Sequence, residues 1–201
     1  MQNQVVTDNF GMGTRVWAIA WHVDYWDYLG WPDPYAQAEH TDRQIAYAKA
    51  NSHQNLFTPH MLVAGKTISG GAVGGAIQGA LQQAATTSVT IWRDPNSVPG
   101  SEIHIGFSVR DAPMNSELHL VVVERGLVHE IGGGENHGKI LNHDAPARWW
   151  RKLPPAVSGT IQVVLPEAAV FDNCSMVAFV QDPSTMQLSG ATGLDTLRAP
   201  Q

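Results

Sequence analysis

Cysteine is almost missing from this chain. Its 201 residues contain one, Cys174, which excludes an intrachain disulfide and any thiolate metal cluster. Charge is scarce as well: 15% of residues are Asp, Glu, Lys or Arg, and the formal sum is −6 at pH 7. No basic cluster runs against that acidic balance, which argues against a nucleic-acid partner. No stretch reaches the roughly 18 apolar residues of a membrane span. Met1-Gln2-Asn3-Gln4 opens the chain without the basic and apolar regions of a signal peptide, so either the protein is cytoplasmic or a leader has been lost. Ser, His and Asp are all present, but no G-x-S-x-G elbow brings them together. No internal repeat is visible.

Aromatic residues, by contrast, are concentrated. Four of the seven tryptophans lie between Trp17 and Trp31. Residues 16–23 form an apolar run in which Trp17, Ile19, Trp21 and Val23 fall on one side and Val16, Ala18, Ala20 and His22 on the other. A strand apolar on both faces is normally a buried strand of an α/β sheet. Ligands of open α/β sheets bind beyond the carboxyl ends of the strands. That places a candidate groove at His22, Asp24, Trp26, Asp27 and Trp31, where the run turns polar and aromatic.

Gly30, Pro32 and Pro34 then break regular structure. Thr41-Asp42-Arg43-Gln44 has the form of a capping box and predicts a helix starting there and ending near Asn51. Residues 56–68 read as two short strands around Ala64-Gly65-Lys66. A second helix is expected over 73–84, with Val73, Ile77, Ala80, Leu81 and Ala84 at helical spacing.

Beyond residue 86 the period changes to two. Residues 89–93, 102–109, 117–125, 160–165 and 175–181 alternate like strands, with turn signals at Pro95-Asn96, Pro99-Gly100, Pro113, 132–134, Pro154-Pro155 and Asp182-Pro183. Short strands so punctuated predict an antiparallel β-sandwich over 87–201. With 201 residues there is core enough for that and a smaller α/β unit over 1–86.

HVDYWDYLGWPDPY (22–35), TDRQIAYA (41–48) and FTPHMLVAGK (57–66), followed in the second half by GENHGKILNHD (134–144) and VAFVQD (177–182), resemble the family catalogued as domain of unknown function 1223. The resemblance covers most of residues 16–192 and implies a thioredoxin-like, usually exported bacterial protein, hence a periplasmic or secreted one. It also implies a cis bond at Thr58-Pro59. Relatives carry a strand and a Cys-x-x-Cys turn leading into a long helix ahead of the stretch that here starts at Val16; this chain has neither. It therefore reads as an N-terminally truncated thioredoxin-like half-domain, residues 1–86, lacking its first strand and helix. The missing strand would lie between residues 16–23 and 61–64. The gap is expected to be filled by residues 1–10 or by another chain, making a homo-oligomer through unpaired edges, or else the half-domain is loosened. Dithiol exchange needs an attacking thiolate and a resolving partner, so the chain is expected to be redox-inactive.

Two functional readings follow: an inactive remnant of a thiol–disulfide oxidoreductase lineage, or a module binding a peptide, protein or small ligand in the groove at residues 24–31, with Thr58 and Pro59. No cofactor is implied. His22, Asp24 and Asp27, with His40 or His60, have donor chemistry suited to zinc or manganese. The commoner arrangement is an acid that caps a loop and a histidine packed beside tryptophan. Trp31-Pro32-Asp33 resembles the acid loop of tyrosine phosphatases, but no cysteine–arginine phosphate cradle accompanies it. GGENHGK (133–139) has P-loop spacing up to the lysine. Ile140 follows where Ser or Thr is required, so a β-hairpin or family-specific loop is expected. Glu135, Asn136, His137 and His143 form a polar cluster on that loop, read as solvated or, alternatively, as touching the first domain. Of Trp149 and Trp150, one is expected under a loop and the other at the domain interface. Cys174 is read as a small buried hydrophobe.

Overall fold

The computed structural model describes residues 16–52, 55–94, 103–134, 136–155 and 158–197. Among them β-structure dominates: eleven strands against two α-helices. The strict alternation of Ile103, Ile105, Phe107 and Val109 becomes β4 (Ile103–Arg110), which pairs antiparallel with β3 (Ser88–Arg93) and β9 (Ser158–Val163). A second antiparallel sheet runs in the order β11-β10-β5-β8, from β5 (Glu117–Glu124), β8 (Ala147–Leu153), β10 (Cys174–Gln181) and β11 (Leu188–Leu194). The two pack face to face. Ile105, Phe107 and Val109 from the first meet Leu118, Leu120, Val122, Met176, Ala178 and Val180 from the second in one continuous core. Burial of such a face is the main favourable contribution to folding.

β5 and β10 are apolar on both faces, and the second sheet is covered on both. Its outer side carries Val121, Val123, Ala147, Val177 and Phe179, and against these pack Trp17, Ile19 and Trp21. This corrects the reading of residues 16–23 as a sheet strand. Among the described residues the segment forms no strand and pairs only through an isolated parallel bridge between Ala20 and Pro146. Its odd-numbered residues are apolar because they roof the sandwich. Gly193 of β11 makes room for this roof, since a Cβ there would lie 2.4 Å from the Trp17 ring.

Helix α1 (Ala38–Ala50) starts three residues before Thr41. The capping box therefore does not form: Thr41 lies in the first turn and its hydroxyl bonds to Asp24 instead. The inward face of α1 is mostly polar, with His40, Arg43, Gln44, Tyr47 and Ala48 buried. The hairpin β1 (Met61–Val63) and β2 (Lys66–Ile68) turns at Ala64-Gly65 as expected. Helix α2 (Val73–Leu81) is shorter than its apolar spacing predicts, and none of its residues is buried.

Four strands had no clear signal. β6 (Leu127–Glu130) and β7 (Ile140–His143) are short and paired only with each other. The GGENHGK segment lies in their connecting loop, as a hairpin and not a phosphate cradle. β8 carries arginines and a lysine among its tryptophans, and β11 is built of small residues. Trp149 packs against the sandwich core, whereas Trp150 packs on the outer face with Trp21. The turns expected at 95–96 and 99–100, and residues 1–10 as filler of a gap, lie outside the described residues.

Candidate functional site

The segment from His22 to Tyr35 leaves the sheet roof and folds into a loop stitched by its own acids. The Asp24 carboxylate accepts from the Thr41 hydroxyl at 2.5 Å, and the Asp24 N–H donates to the Thr41 oxygen at 3.3 Å. Asp27 Oδ1 accepts the Asp33 N–H at 3.1 Å, and Asp33 Oδ1 accepts the Tyr35 N–H at 2.9 Å. Such Asx bonds substitute for backbone pairing in tight loops. Both acids of the candidate groove are thus used in holding shape.

One aromatic shelf stands clear of this scaffold. The Trp26 indole N–H donates to Thr58 Oγ1 at 3.1 Å. The Tyr25 hydroxyl donates to Gln44 Oε1 at 3.0 Å, and Gln44 Nε2 donates to the Phe57 carbonyl at 2.7 Å. Helix α1, the loop and the Thr58-Pro59 turn are thereby tied together, and the Thr58-Pro59 bond is cis. Trp26 is nonetheless 45% exposed, Tyr28 stacked beside it 76%, and Leu29 53%.

The other side of the loop faces the β6–β7 hairpin. His22 Nδ1 lies 2.7 Å from Asp33 Oδ2. The His22 ring also sits 5.2 Å from that of His143 and 5.6 Å from that of Tyr35. Arg148 covers Tyr35 and pairs with the fully buried Glu124 at 2.9 Å. Trp31 lies against His129. At the tip, backbone meets backbone: a Cβ on Gly133 would come within 2.5 Å of the Gly30 carbonyl oxygen, and one on Gly134 within 2.7 Å of that of Leu29. Only glycine allows this approach.

Burial by itself would raise the Asp33 carboxyl, but the bond from His22 and its charge outweigh that and hold it below the ordinary carboxylate range. His143 is held below the usual imidazole value, first by burial and then by His22. His40, whose Nδ1 lies 3.0 Å from the His22 carbonyl oxygen, is lowered chiefly by burial.

The residues expected to share one groove therefore divide. Trp26, Thr58 and Pro59 stay together on the shelf; His22 and Trp31 face the hairpin; Asp24 and Asp27 brace the loop. The polar loop cluster divides too. His143 touches His22 and Tyr35, which corrects its reading as solvated. Asn136 accepts a bond from Lys139 at 2.7 Å within the loop, His137 is exposed, and Glu135 lies outside the described residues. Among the described residues no set of three His, Cys, Asp or Glu side chains is placed to hold a metal ion. Cys174 is 1% exposed in the sandwich core, with its thiol pushed up to about 12 by burial and, secondarily, by Glu124. A thiol so placed is not a nucleophile at neutral pH.

Sequence reasoning missed Asp33, Tyr35, Arg148 and His129 as site residues. Arg148 and His129 draw their roles from partners far along the chain, and Asp33 and Tyr35 from the way the 22–35 loop folds back on itself and meets His143. The 22–35 and 134–144 segments carried the family resemblance separately, and in space the stretches containing them meet.

A family model described as a protein of unknown function (DUF1223) matches residues 3–181. The chain belongs to that family. No curated protein matches this DUF1223 chain. Among solved structures, it is similar to a β-glucosidase from Kluyveromyces marxianus in complex with glucose, at 11% identity and a TM-score of 0.27. That match covers 76% of this chain and 16% of the other. A likeness so slight carries no argument about fold or activity.

Proposed function

We propose that this chain is a peptide-binding module on a half-domain of thioredoxin ancestry, that it works outside the cytoplasm, and that it carries out no thiol–disulfide exchange. The ancestry and the compartment rest on the family resemblance. The inactivity rests on the chemistry of the one thiol, which is buried, protonated and without a partner cysteine.

One observation carries the binding role. The Trp26 indole is pinned by its bond to Thr58 while nearly half its surface, and most of Tyr28, faces solvent. An exposed indole already held by a hydrogen bond has less side-chain entropy to lose on binding, which favours affinity, and tryptophan and tyrosine are the residues that anchor such contacts. An extended peptide suits the shelf, with an apolar side chain stacked on the rings and its backbone over the Thr58-Pro59 turn.

Titration of indole emission with an extended apolar decapeptide tests this. Saturable quenching is expected in the native chain and a strongly reduced response in Trp26→Phe. An unchanged response in that variant removes the shelf from the account. Insulin reduction should stay at background, and turnover above it would overturn the redox part.

A further inference from the structure

A second feature lies on the opposite side of α1, where the helix meets the outer face of β5, β8 and β10. A cleft of about 480 Å³ opens there. Arg43 and His119 line it, and each carries a buried hydrogen-bond donor with no acceptor among the described residues. Arg43 spends Nη1 on Gln181 Oε1 at 2.9 Å and Nη2 on the Tyr47 hydroxyl at 3.2 Å, while its Nε–H finds no acceptor among the described residues. His119 is the other. The Trp150 indole, which can only donate, bonds to His119 Nδ1 at 3.1 Å. Nδ1 is therefore the accepting nitrogen, and in the neutral ring the proton sits on Nε2. Burial, then the charges of Arg43 and Lys152, hold His119 down to about 3, so the ring is neutral at pH 7. Its Nε2–H is buried and likewise without a hydrogen-bond acceptor. A buried unsatisfied donor costs about 1–3 kcal/mol, and two of them on side chains that line one cleft call for an acceptor.

The guanidinium and the imidazole pack on the same two rings, Trp150 and Phe179. Above them stands Glu117, more than a third exposed, with Oε2 at 3.4 Å from His119 Nε2: close, but outside a formed bond. We propose that this cleft binds a small monocarboxylate whose head displaces the Glu117 carboxylate and accepts from His119 Nε2–H and Arg43 Nε–H. The lining favours one negative charge over two, because Arg43, Arg151 and Lys152 are balanced by Glu39, Asp42 and Glu117. Trp150, Met186 and Pro183 give the ligand's body an apolar wall. A free small acid and a peptide C-terminus share this head chemistry.

The indole N–H of Trp150, bonded to His119, is the reporter. In ¹⁵N NMR of the full chain, with the signal assigned through Trp150→Phe, benzoate is expected to shift it saturably, while isosteric benzamide does not. Glu117→Gln, which removes the competing charge, should bind benzoate several-fold more tightly. His119→Gln, which keeps an acceptor for the indole, should lose the response. Acetyl-Gly-Phe with a free C-terminus, run against its amide, separates a peptide source from a free acid; tight binding of either carboxylate supports the site. The proposal fails if benzoate leaves Trp150 unmoved in both the native chain and Glu117→Gln. It also fails if benzamide or inorganic phosphate acts equally well. The Trp26 signal should stay still throughout, so failure here is separable from failure of the shelf.

Discussion

The sandwich and the segment before it are built on opposite terms. Between the two sheets, Ile105, Leu118, Leu120, Met176 and Val180 are fully buried and purely apolar. Among the described residues of 16–86 the buried positions are few and mostly polar or aromatic: Tyr35, His40, Arg43, Gln44, Tyr47 and Ala48, with Gly65 at the hairpin turn. The first region is held by area removed from water. The second is held by directed bonds and by what it rests on, since its roof of Trp17, Ile19 and Trp21 buries itself against the sandwich. Polar layers contribute specific geometry at modest net stability, and geometry is what a binding surface requires.

The contrast breaks most visibly under truncation. Leu120→Ala should cost about 2–5 kcal/mol in urea unfolding. Leu81→Ala on α2, where no residue is buried, should cost about 1 kcal/mol or less. Equal losses would mean that the first half has a core of its own.

Acid should strike the directed bonds next. Burial lowers His40, His119 and His143, so the unfolded chain binds more protons once pH drops below its histidine value near about 6.5. The stability they support is complete above that pH and drains as pH falls toward the folded values, about 3 for His119. Asp33, held low by His22, is present as a stabilising carboxylate above its unfolded value near about 4 and adds to the loss below it. The melting temperature should therefore fall from pH 7 to pH 4, with a flatter profile in His119→Gln. A pH-independent melting temperature would show that the histidines are not held neutral.

A smaller effect isolates the docking of the loop on the hairpin. Gly134→Ala strains a residue at φ +71° and also drives a Cβ to 2.7 Å from the Leu29 carbonyl oxygen, whereas Gly126→Ala, at φ +70°, meets nothing within 4 Å. The strain common to both is about 1 kcal/mol. An excess of about 1 kcal/mol in Gly134→Ala, seen by denaturant melts, measures the docking itself. The smallest change belongs to the shelf: Thr58→Val removes one exposed hydrogen bond, costs about 1 kcal/mol or less, and should red-shift Trp26 emission as the indole loosens.

Much of this was legible along the chain. Ile103, Ile105, Phe107 and Val109 alternate because one face of β4 is core, and alternation reads directly as a half-buried strand. Ala64-Gly65 marks its hairpin turn by the same local logic. β8 escaped because its inward and outward faces both carry large side chains, and β11 because its residues are too small to show a pattern. Residues 16–23 misled for a related reason: a segment laid across a sheet and a strand within one have the same apolar composition.

Site chemistry divides the same way. That Trp26 and Thr58-Pro59 belong together, and that Cys174 is buried, could be read before any coordinates. That His22 would find Asp33 and His143, that Arg43 would turn inward among aromatic rings, and that its Nε–H and the His119 Nε2–H would lack acceptors among the described residues could not. Periodicity reports burial because burial repeats with the backbone, so composition and spacing alone determined a β-rich second half and an aromatic, polar-tipped first one. A ring contact between residues 22 and 143, or a bond between 43 and 181, has no period; only the packing of α1 and the loop onto the outer sheet decided those pairs.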